Sequence, residues 1–564
     1  MKRVGLLLFG LAAGCGGDGG SASSEGEFAP AKALSTGEPW FIDVTASSGI
    51  SFTHQFGSRR RFWFPEIMGS GLGFGDVDGD GFLDLYLVQG GDLEAGPGSA
   101  AQNVLYRNAG DGTFVDITRG SGAGDRHYGM GCAFGDVDDD GRLDLFVSNL
   151  GPNVLFRNLD GTQFEDLTDT AGVGDDGWAT SCAFLDYDVD GDLDLVVVNY
   201  LNWASDREIP CSSAYGPEDY CNPNNYNAPA SDSLFRNDGG GRFSDVSQTS
   251  GIGRVFGNGL GVAPADFNAD GRPDIYVAND LLANQLWIGQ ADGTFVEEAV
   301  LSGCAVDENG EVEAGMGVLA LDVENDGDLD LFMTHLREES NTFYLKEGPL
   351  FIDHTAMMGL STPSYSFTGF GVGAADFDHD GIQDLYVANG RVTFGRPIFS
   401  ADDPFSEPNQ LFRGLDELAF EEVSPRAGLS GEHFGNTRGL TLGDYDNDGD
   451  VDVALLDNGG SAKLLKNVRA DGSNWIQVRA LTTHGRDALG AQVGIVQGAT
   501  HKAQWRQVQT AYSYCSSNDP RTHFGLGTNA APVEIEVLWL GGKRERFGPL
   551  AANQHHTLTE GTGR

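Results

Sequence analysis

One acidic loop occurs seven times in this chain, and each copy runs straight into an apolar stretch. The first reads "DVDGDGFLDLYLV" from Asp76. The others read "DVDDDGRLD" from Asp136, "DYDVDGDLD" from Asp186, "DFNADGRPD" from Asp266, "DVENDGDLD" from Asp322, "DFDHDGIQD" from Asp376 and "DYDNDGDVD" from Asp444. Successive starts lie 60, 50, 80, 56, 54 and 68 residues apart. Recurrence on that scale means an array or a ring rather than one compact core.

The carboxylates need an explanation. Positions one, three, five and nine of the loop hold Asp76, Asp78, Asp80 and Asp84; Asp136, Asp138, Asp140 and Asp144; Asp186, Asp188, Asp190 and Asp194. They continue as Asp266, Asn268, Asp270 and Asp274; Asp322, Glu324, Asp326 and Asp330; Asp376, Asp378, Asp380 and Asp384; Asp444, Asp446, Asp448 and Asp452. Two carboxylates at about 4 Å repel by roughly 4 kcal/mol at an effective dielectric near 20. A cation offsets that. Oxygens at positions one, three and five wrap one ion, and the aspartate at position nine reads as a bidentate ligand. Position six is always glycine, from Gly81 to Gly449, which allows a sharp turn. Position seven is Phe82, Arg142, Asp192, Arg272, Asp328, Ile382 and Asp450, an indifference to side chain that suits a backbone carbonyl ligand. Many oxygens on a flexible loop favour Ca²⁺ over Mg²⁺, and nothing soft is offered for zinc or copper. Up to seven Ca²⁺ are expected, with the fourth loop weakest because Asn268 is neutral and Pro273 follows. A helical calcium hand would need Glu at position twelve. Here that position is Leu87, Val147, Val197, Val277, Met333, Val387 and Leu455, so each loop exits into a buried strand.

Two more elements keep step. One is "FIDVT" at 41, "FVDIT" at 114, "FEDLT" at 164 and their counterparts to "FEEVS" at 420; the other is "NVLYRN" at 103, "NVLFRN" at 153 and their counterparts to "AKLLKN" at 462. If each unit runs loop, second element, first element, the last unit lacks a strand and the chain starts with a spare one. Joining the two closes a ring and removes its open edge. Small residues at period two precede each loop, as at Gly69 and Gly71 or Gly129 and Gly131. Such residues let inner strands approach closely. The expected fold is all-β: a seven-bladed propeller over 38–467, then a small antiparallel β domain and tail over 468–564.

Residues 38–467 resemble FG-GAP/VCBS repeats, the calcium-loop propeller units also seen in integrin α heads. "NWIQVRALTTHGRDALGAQVGIV" and "YSYCSSNDPRTHFGLG" resemble an ASPIC/UnbV domain. With "GISFTHQFG" and "EIMGSGLGFGD", the whole resembles the cartilage-acidic-protein-1-like family. The resemblance implies a fold more than a reaction.

The chain opens "MKRVGLLLFGLAAGCGG". A basic start and a short apolar run read as a signal peptide over 1–15, and "LAAGC" resembles the bacterial lipoprotein box with Cys15 as the lipidated residue. Residues 16–37 read as a flexible tether. Export to a bacterial outer membrane or cell surface permits disulfides, and Cys211 with Cys221 is the expected pair. Cys132 and Cys182 hold equivalent repeat positions and read as small buried residues. A formal charge of −48 excludes nucleic acid and anionic membrane surfaces as partners. The membrane is then reached only through the lipid.

No G-x-S-x-G, H-E-x-x-H or P-loop occurs. His54 and Glu66 read as a hydrogen-bonded structural pair sooner than as an acid–base pair. The expected function is a monomeric, non-catalytic surface scaffold that binds a protein or glycan, with the Tyr-, Asn- and Pro-rich insertion 202–230 and a second at 391–408 on its surface. The alternatives are an envelope enzyme acting on polysaccharide, with its site at the central opening or under the 202–230 loop, and an assembly factor for another surface protein.

Overall fold

The computed structural model describes residues 39–57, 61–95, 101–213, 216–394, 403–424, 434–469, 472–496, 498 and 503–564. Cys15, the leader and the tether lie outside the described residues.

Each acidic loop joins the first two strands of a four-stranded antiparallel sheet. In blade one these are Leu72–Gly75 and Asp84–Leu87, followed by Val104–Asn108 and the outer strand Phe114–Asp116. Blades two to six repeat the plan with inner strands Tyr128–Gly135, Ala179–Leu185, Gly259–Ala265, Val318–Leu321 and Gly369–Ala375. Blade seven has Thr437–Gly443, Asp452–Asp457 and Ala462–Asn467, and its outer strand is the chain's first, Phe41–Asp43. Phe41 pairs with Asn467 and Asp43 with Leu465, so the ring closes with seven blades among the described residues. Phe41 also packs edge-on against Phe377 and Tyr386, with centroids 5.2 and 5.8 Å away.

The core lies between blades. Leu72, Phe74 and Leu85 of blade one pack with Ala454, Leu456 and Leu464 of blade seven. Equivalent apolar clusters join every other neighbouring pair. The two repeated elements are linked within each blade. After blade one's outer strand, Thr118 Oγ1 accepts the Leu105 N–H at 2.9 Å. Thr168, Ser247, Thr355, Ser424 and Thr45 do the same in five other blades. Blade four has Ala299 there, and Glu297 Oε1 accepts the Leu286 N–H instead.

The C-terminal domain has its own apolar core, from Ile476 and Val493 to Ile535 and Phe547. One sheet orders Gln504–Gln507, Gln492–Ile495, Val533–Leu538 and Arg544–Leu550, all antiparallel. The other sets Asn474–Leu481 antiparallel to Thr522–Gly527 but parallel to His555–Thr559, a departure from the purely antiparallel expectation.

Between these sheets the chain leaves its own domain and enters the ring. Ser513 and Val318 exchange two backbone hydrogen bonds, as the Ser517 backbone does with Leu72 and Phe74. The Cys515 N–H donates to Ser181 Oγ at 3.0 Å. Ser513 Oγ accepts from Val372 N–H, Ser517 Oγ from Phe134 N–H and Asn518 Oδ1 from Leu442 N–H. Just upstream, Gln507 Nε2 donates to the Pro264 carbonyl. All seven inner strands are thus bonded to one segment. Inner strands of a ring expose unpaired backbone groups toward the axis, and burying those unmade is costly. The central opening, one place expected for an enzyme's site, is filled by this plug.

The small residues of the inner strands are explained by the plug as well as by crowding between blades. A Cβ on Gly71 would stand 2.2 Å from the Cys515 carbonyl oxygen and 2.5 Å from that of Met130. Neither atom can give way without moving a backbone. Gly71→Ala should therefore cost about 3 kcal/mol or more, or prevent folding. Gly120→Ala, in the short helix Thr118–Ser121 with open space around it, should be neutral or slightly stabilising. Thermal melts of the two variants decide the point, and equal melting temperatures would rule out a tightly seated plug.

Candidate metal centres

Each loop is organised by its own carboxylates before any ion is considered. The aspartate at position one accepts the N–H of the position-six glycine, as Asp76 does from Gly81 at 3.0 Å. The aspartate at position five accepts the N–H of position seven, as Asp80 does from Phe82 at 2.9 Å. Position nine spans two strands. One oxygen of Asp84 accepts from Val77 N–H at 3.0 Å, and the other accepts from Asn108 N–H, at the end of the third strand, at 2.8 Å. The same pair of bonds recurs at Asp144, Asp194, Asp274, Asp330, Asp384 and Asp452. Each oxygen keeps a second lone pair for a cation. Position four is left-handed in all seven loops, with φ from 56° to 71°. For the β-branched Val189 this conformation is costly.

Five loops bring three carboxylates together with ligand oxygens within 4.8 Å of one another: Asp76, Asp78, Asp84; Asp136, Asp138, Asp144; Asp186, Asp188, Asp194; Asp376, Asp378, Asp384; and Asp444, Asp446, Asp452. In the same five, one buried carboxylate oxygen has no hydrogen-bond partner: Oδ1 of Asp76, Asp138, Asp188, Asp378 and Asp446. Orphaned buried acceptors facing other acceptors fit a cation and nothing the chain itself supplies. The donors are all oxygens, which suits a hard ion.

A second feature separates the same five from the rest. The element "NVLYRN" places a basic residue on the third strand. Arg107, Arg157, Arg413 and Lys466 each pair with the position-three aspartate of their own loop, Asp78, Asp138, Asp378 and Asp446. Arg236 holds that place in blade three, where its charge acts on Asp188. The two remaining loops have Asn268 and Glu324 at position three, and there the basic residue is replaced by Ile288 and Leu345. Sequence reading alone passes over this covariation, although both halves of it are visible in the repeats.

Burial raises these carboxyls above the ordinary carboxylate range. Asp84, Asp194 and Asp330 are pushed up to about 8, chiefly by desolvation and against two backbone hydrogen bonds each. Asp376 and Asp444 reach about 8 for the same first reason, with neighbouring aspartates adding to it.

The C-terminal domain lies on this face. Arg486 pairs with Asp139, Trp505 N–H donates to Asn325 Oδ1, and Arg521 donates to Asn447 Oδ1 and to the Asp444 carbonyl. Gly527 N–H donates to the His379 carbonyl and Gly541 N–H to that of Gly271. Asp139, Asn325, His379 and Asn447 are position-four residues, so the left-handed turn presents them to the docked domain.

The expected His54–Glu66 pair does not form. His54 lies 3.1 Å from the backbone nitrogens of both Gly90 and Gly459, joining blades one and seven. Glu66 accepts from the Tyr220 hydroxyl at 3.2 Å. Cys211 and Cys221 are joined in a disulfide, and Cys132, Cys182, Cys304 and Cys515 are free and buried.

The FG-GAP-like repeat model matches residues 76–147, 136–197, 221–277, 266–333 and 322–387. The chain belongs to the FG-GAP-like repeat family. The ASPIC and UnbV model matches residues 481–564, so this FG-GAP-like protein carries that domain at its C-terminus. Cartilage acidic protein 1 of Mus musculus is 29% identical over 309 residues, which make up 53% of this chain and 44% of that protein. The Homo sapiens protein of that name is also 29% identical over 309 residues, 43% of its length. The match thus spans under half the length of these relatives. Among solved structures, BBS1N in complex with ARL6DN has a TM-score of 0.41 and 10% identity, covering 77% of this chain and 98% of that one. YCF48 bound to D1 peptide has a TM-score of 0.41 and 10% identity, covering 77% and 97%.

Two outcomes follow for the FG-GAP-like loops. Carboxyls with raised folded-state values hold protons that the unfolded chain has released, so the metal-free protein loses stability as pH rises from about 5 to 8. A bound cation keeps its ligands ionised and reverses that slope. Melts in chelator and in excess divalent metal across this range should cross, and parallel curves would count against metal at the loops. Separately, Asp188→Asn removes a half-buried carboxylate whose Oδ1 has no partner. It should leave the metal-free protein as stable or more so, yet lower the melting temperature of the metal-loaded protein.

Proposed function

We propose that this protein is a calcium-stiffened binding scaffold, held at a bacterial cell surface by lipid on Cys15, that recognises a protein or glycan through the face opposite its metal loops. One observation carries this reading. The C-terminal domain covers the loop face and its plug fills the axis, so the free end of the ring is the one that bears the insertions. These join second and third strands: 200–232 in blade three and 390–409 in blade six. The first is stapled by Cys211–Cys221, and its Trp203 and Tyr226 pack on Trp63 and Phe64 at 6.1 and 5.2 Å. Rigid aromatics on stapled loops over a stiff scaffold suit recognition.

Calcium is supported by an all-oxygen donor set on flexible loops and by the orphaned oxygens. The five complete loops are the tight sites, and the loops with Asn268 and Glu324 are weak or vacant in solution. Elemental analysis of protein purified in calcium should give about five ions per chain, matching the five clusters, and chelation should lower the melting temperature sharply. Calcium-dependent retention on isolated cell envelopes, lost when the 202–230 insertion is replaced by a short Gly-Ser linker, tests recognition. A chain with no bound calcium and an unchanged melt in chelator would end the metal reading. Retention that survives removal of the insertion would end the assignment of the face.

A further inference from the structure

Beneath the Cys211–Cys221 hairpin, on the insertion face, lies a cavity of about 300 Å³. This is the lower end of the range for small-molecule pockets. Its wall is largely apolar, with Phe64, Ile67, Tyr220, Met316, Leu336 and Phe370. Three blades and two insertions contribute. In that wall stands one acid, Asp280, only 8% exposed.

Asp280 is not explained by the repeat. It stands fourteen residues after the first aspartate of its loop, where the other repeats have Gly90, Leu150, Tyr200, Leu336, Gly390 and Asn458. None of those is charged. The Tyr200 hydroxyl donates to Oδ2 of Asp280, while its Oδ1 is buried with no partner. The charge that bears on it is a second carboxylate, Glu339, and burial pushes Asp280 up to about 7. Behind the wall residue Tyr220, whose hydroxyl donates to it, a second buried acid, Glu66, is 2% exposed. The buried cation against the wall residue Phe370 is already committed: Arg438 stacks 3.9 Å from that ring and donates to the carbonyls of Ile67, Gly390 and Arg391. A buried acid without a cation is costly unless a ligand supplies one.

We propose that this cavity binds a small organic ammonium ion, its aromatic or alkyl body in the apolar pocket and its nitrogen on the Asp280 carboxylate. Aromatic and methionine walls accommodate such a body without demanding one shape. The acid supplies the selection: it accepts a charged N–H and discriminates against an anion. The site deepens the reading of this face as the recognition surface, and it rests on that reading only for access to solvent.

The test is calorimetric titration of the full, calcium-loaded chain with phenethylamine, phenethyl alcohol and hydrocinnamate. Phenethylamine should bind saturably, at least about tenfold more tightly than the alcohol, and hydrocinnamate should not bind. Asp280→Asn should erase the preference for the amine. Met316→Trp, which fills the cavity from another wall, should abolish binding of both with the melt little changed. Equal affinities for amine and alcohol, the absence of saturable binding, or full amine affinity in a folded Asp280→Asn variant would each overturn the proposal. Envelope retention measured on the same variants keeps the two readings apart. Amine binding lost with retention intact assigns the ammonium to this cavity alone. Absent amine binding in the wild type, beside intact retention, removes the cavity and leaves the scaffold standing.

Discussion

The architecture depends on one buried carboxylate, the aspartate at position nine of each loop. It is 0–2% exposed in every blade, from Asp84 to Asp452. One oxygen holds the loop that precedes it and the other holds the third strand. This single side chain therefore sets where the second strand begins, how the loop folds back and how the next strand registers. Asn108 extends the tie outward. Its amide donates both to Leu83 in its own blade and to Tyr445 in the loop of blade seven. Asn158, Asn237 and Asn467 reach neighbouring loops in the same way. A charge buried that deeply is tolerable because backbone N–H groups face both oxygens and a cation can complete the set.

Much of this is legible in the sequence because the repeats act as their own controls. The order of the two repeated elements around the loop gives the strand order and the closing strand. The invariant glycine at position six and the apolar residue at position twelve tell a loop-to-strand turn from a helical hand. Ten residues of separation in one insertion suffice to suggest the Cys211–Cys221 pair. What is not repeated is not legible. "YSYCSSND" carries only the ASPIC/UnbV resemblance, and nothing local shows that Ser513, Ser517 and Asn518 serve inner strands of the ring. Nor does alternation of apolar and polar residues distinguish the parallel pairing of Asn474–Leu481 with His555–Thr559 from an antiparallel one. The pairing of Arg157 with Asp138 needs a third strand beside the loop, which spacing alone does not supply.

The two faces divide the work. On the loop face the variation between repeats is small, and the departures, Asn268 and Glu324, travel with the loss of a basic neighbour. On the insertion face the equivalent positions differ freely in size and charge, as at Tyr200, Asp280 and Leu336. The two faces are connected through the axis. Tyr514 donates its hydroxyl to the Met68 carbonyl at 2.6 Å and meets the Phe370 ring edge-on at 5.0 Å, so a residue of the C-terminal segment stands behind the cavity on the far side.

The closing strand has a consequence for the order of events in the life of the chain. Phe41 is among the first described residues to be synthesised, yet its partner Asn467 comes last in the ring, and the plug comes later still. Until then blade seven is one strand short, and every inner strand presents its axial edge unprotected. Neighbouring blades can pack on one another as they are made, but the ring is committed only when both ends of the propeller and the segment beyond it are present together. Closure thus requires the meeting of distant sequence, a loop-closure cost that local strand propensity cannot reduce. An interrupted chain would retain well-formed blades and exposed edges, which is the form in which β proteins aggregate.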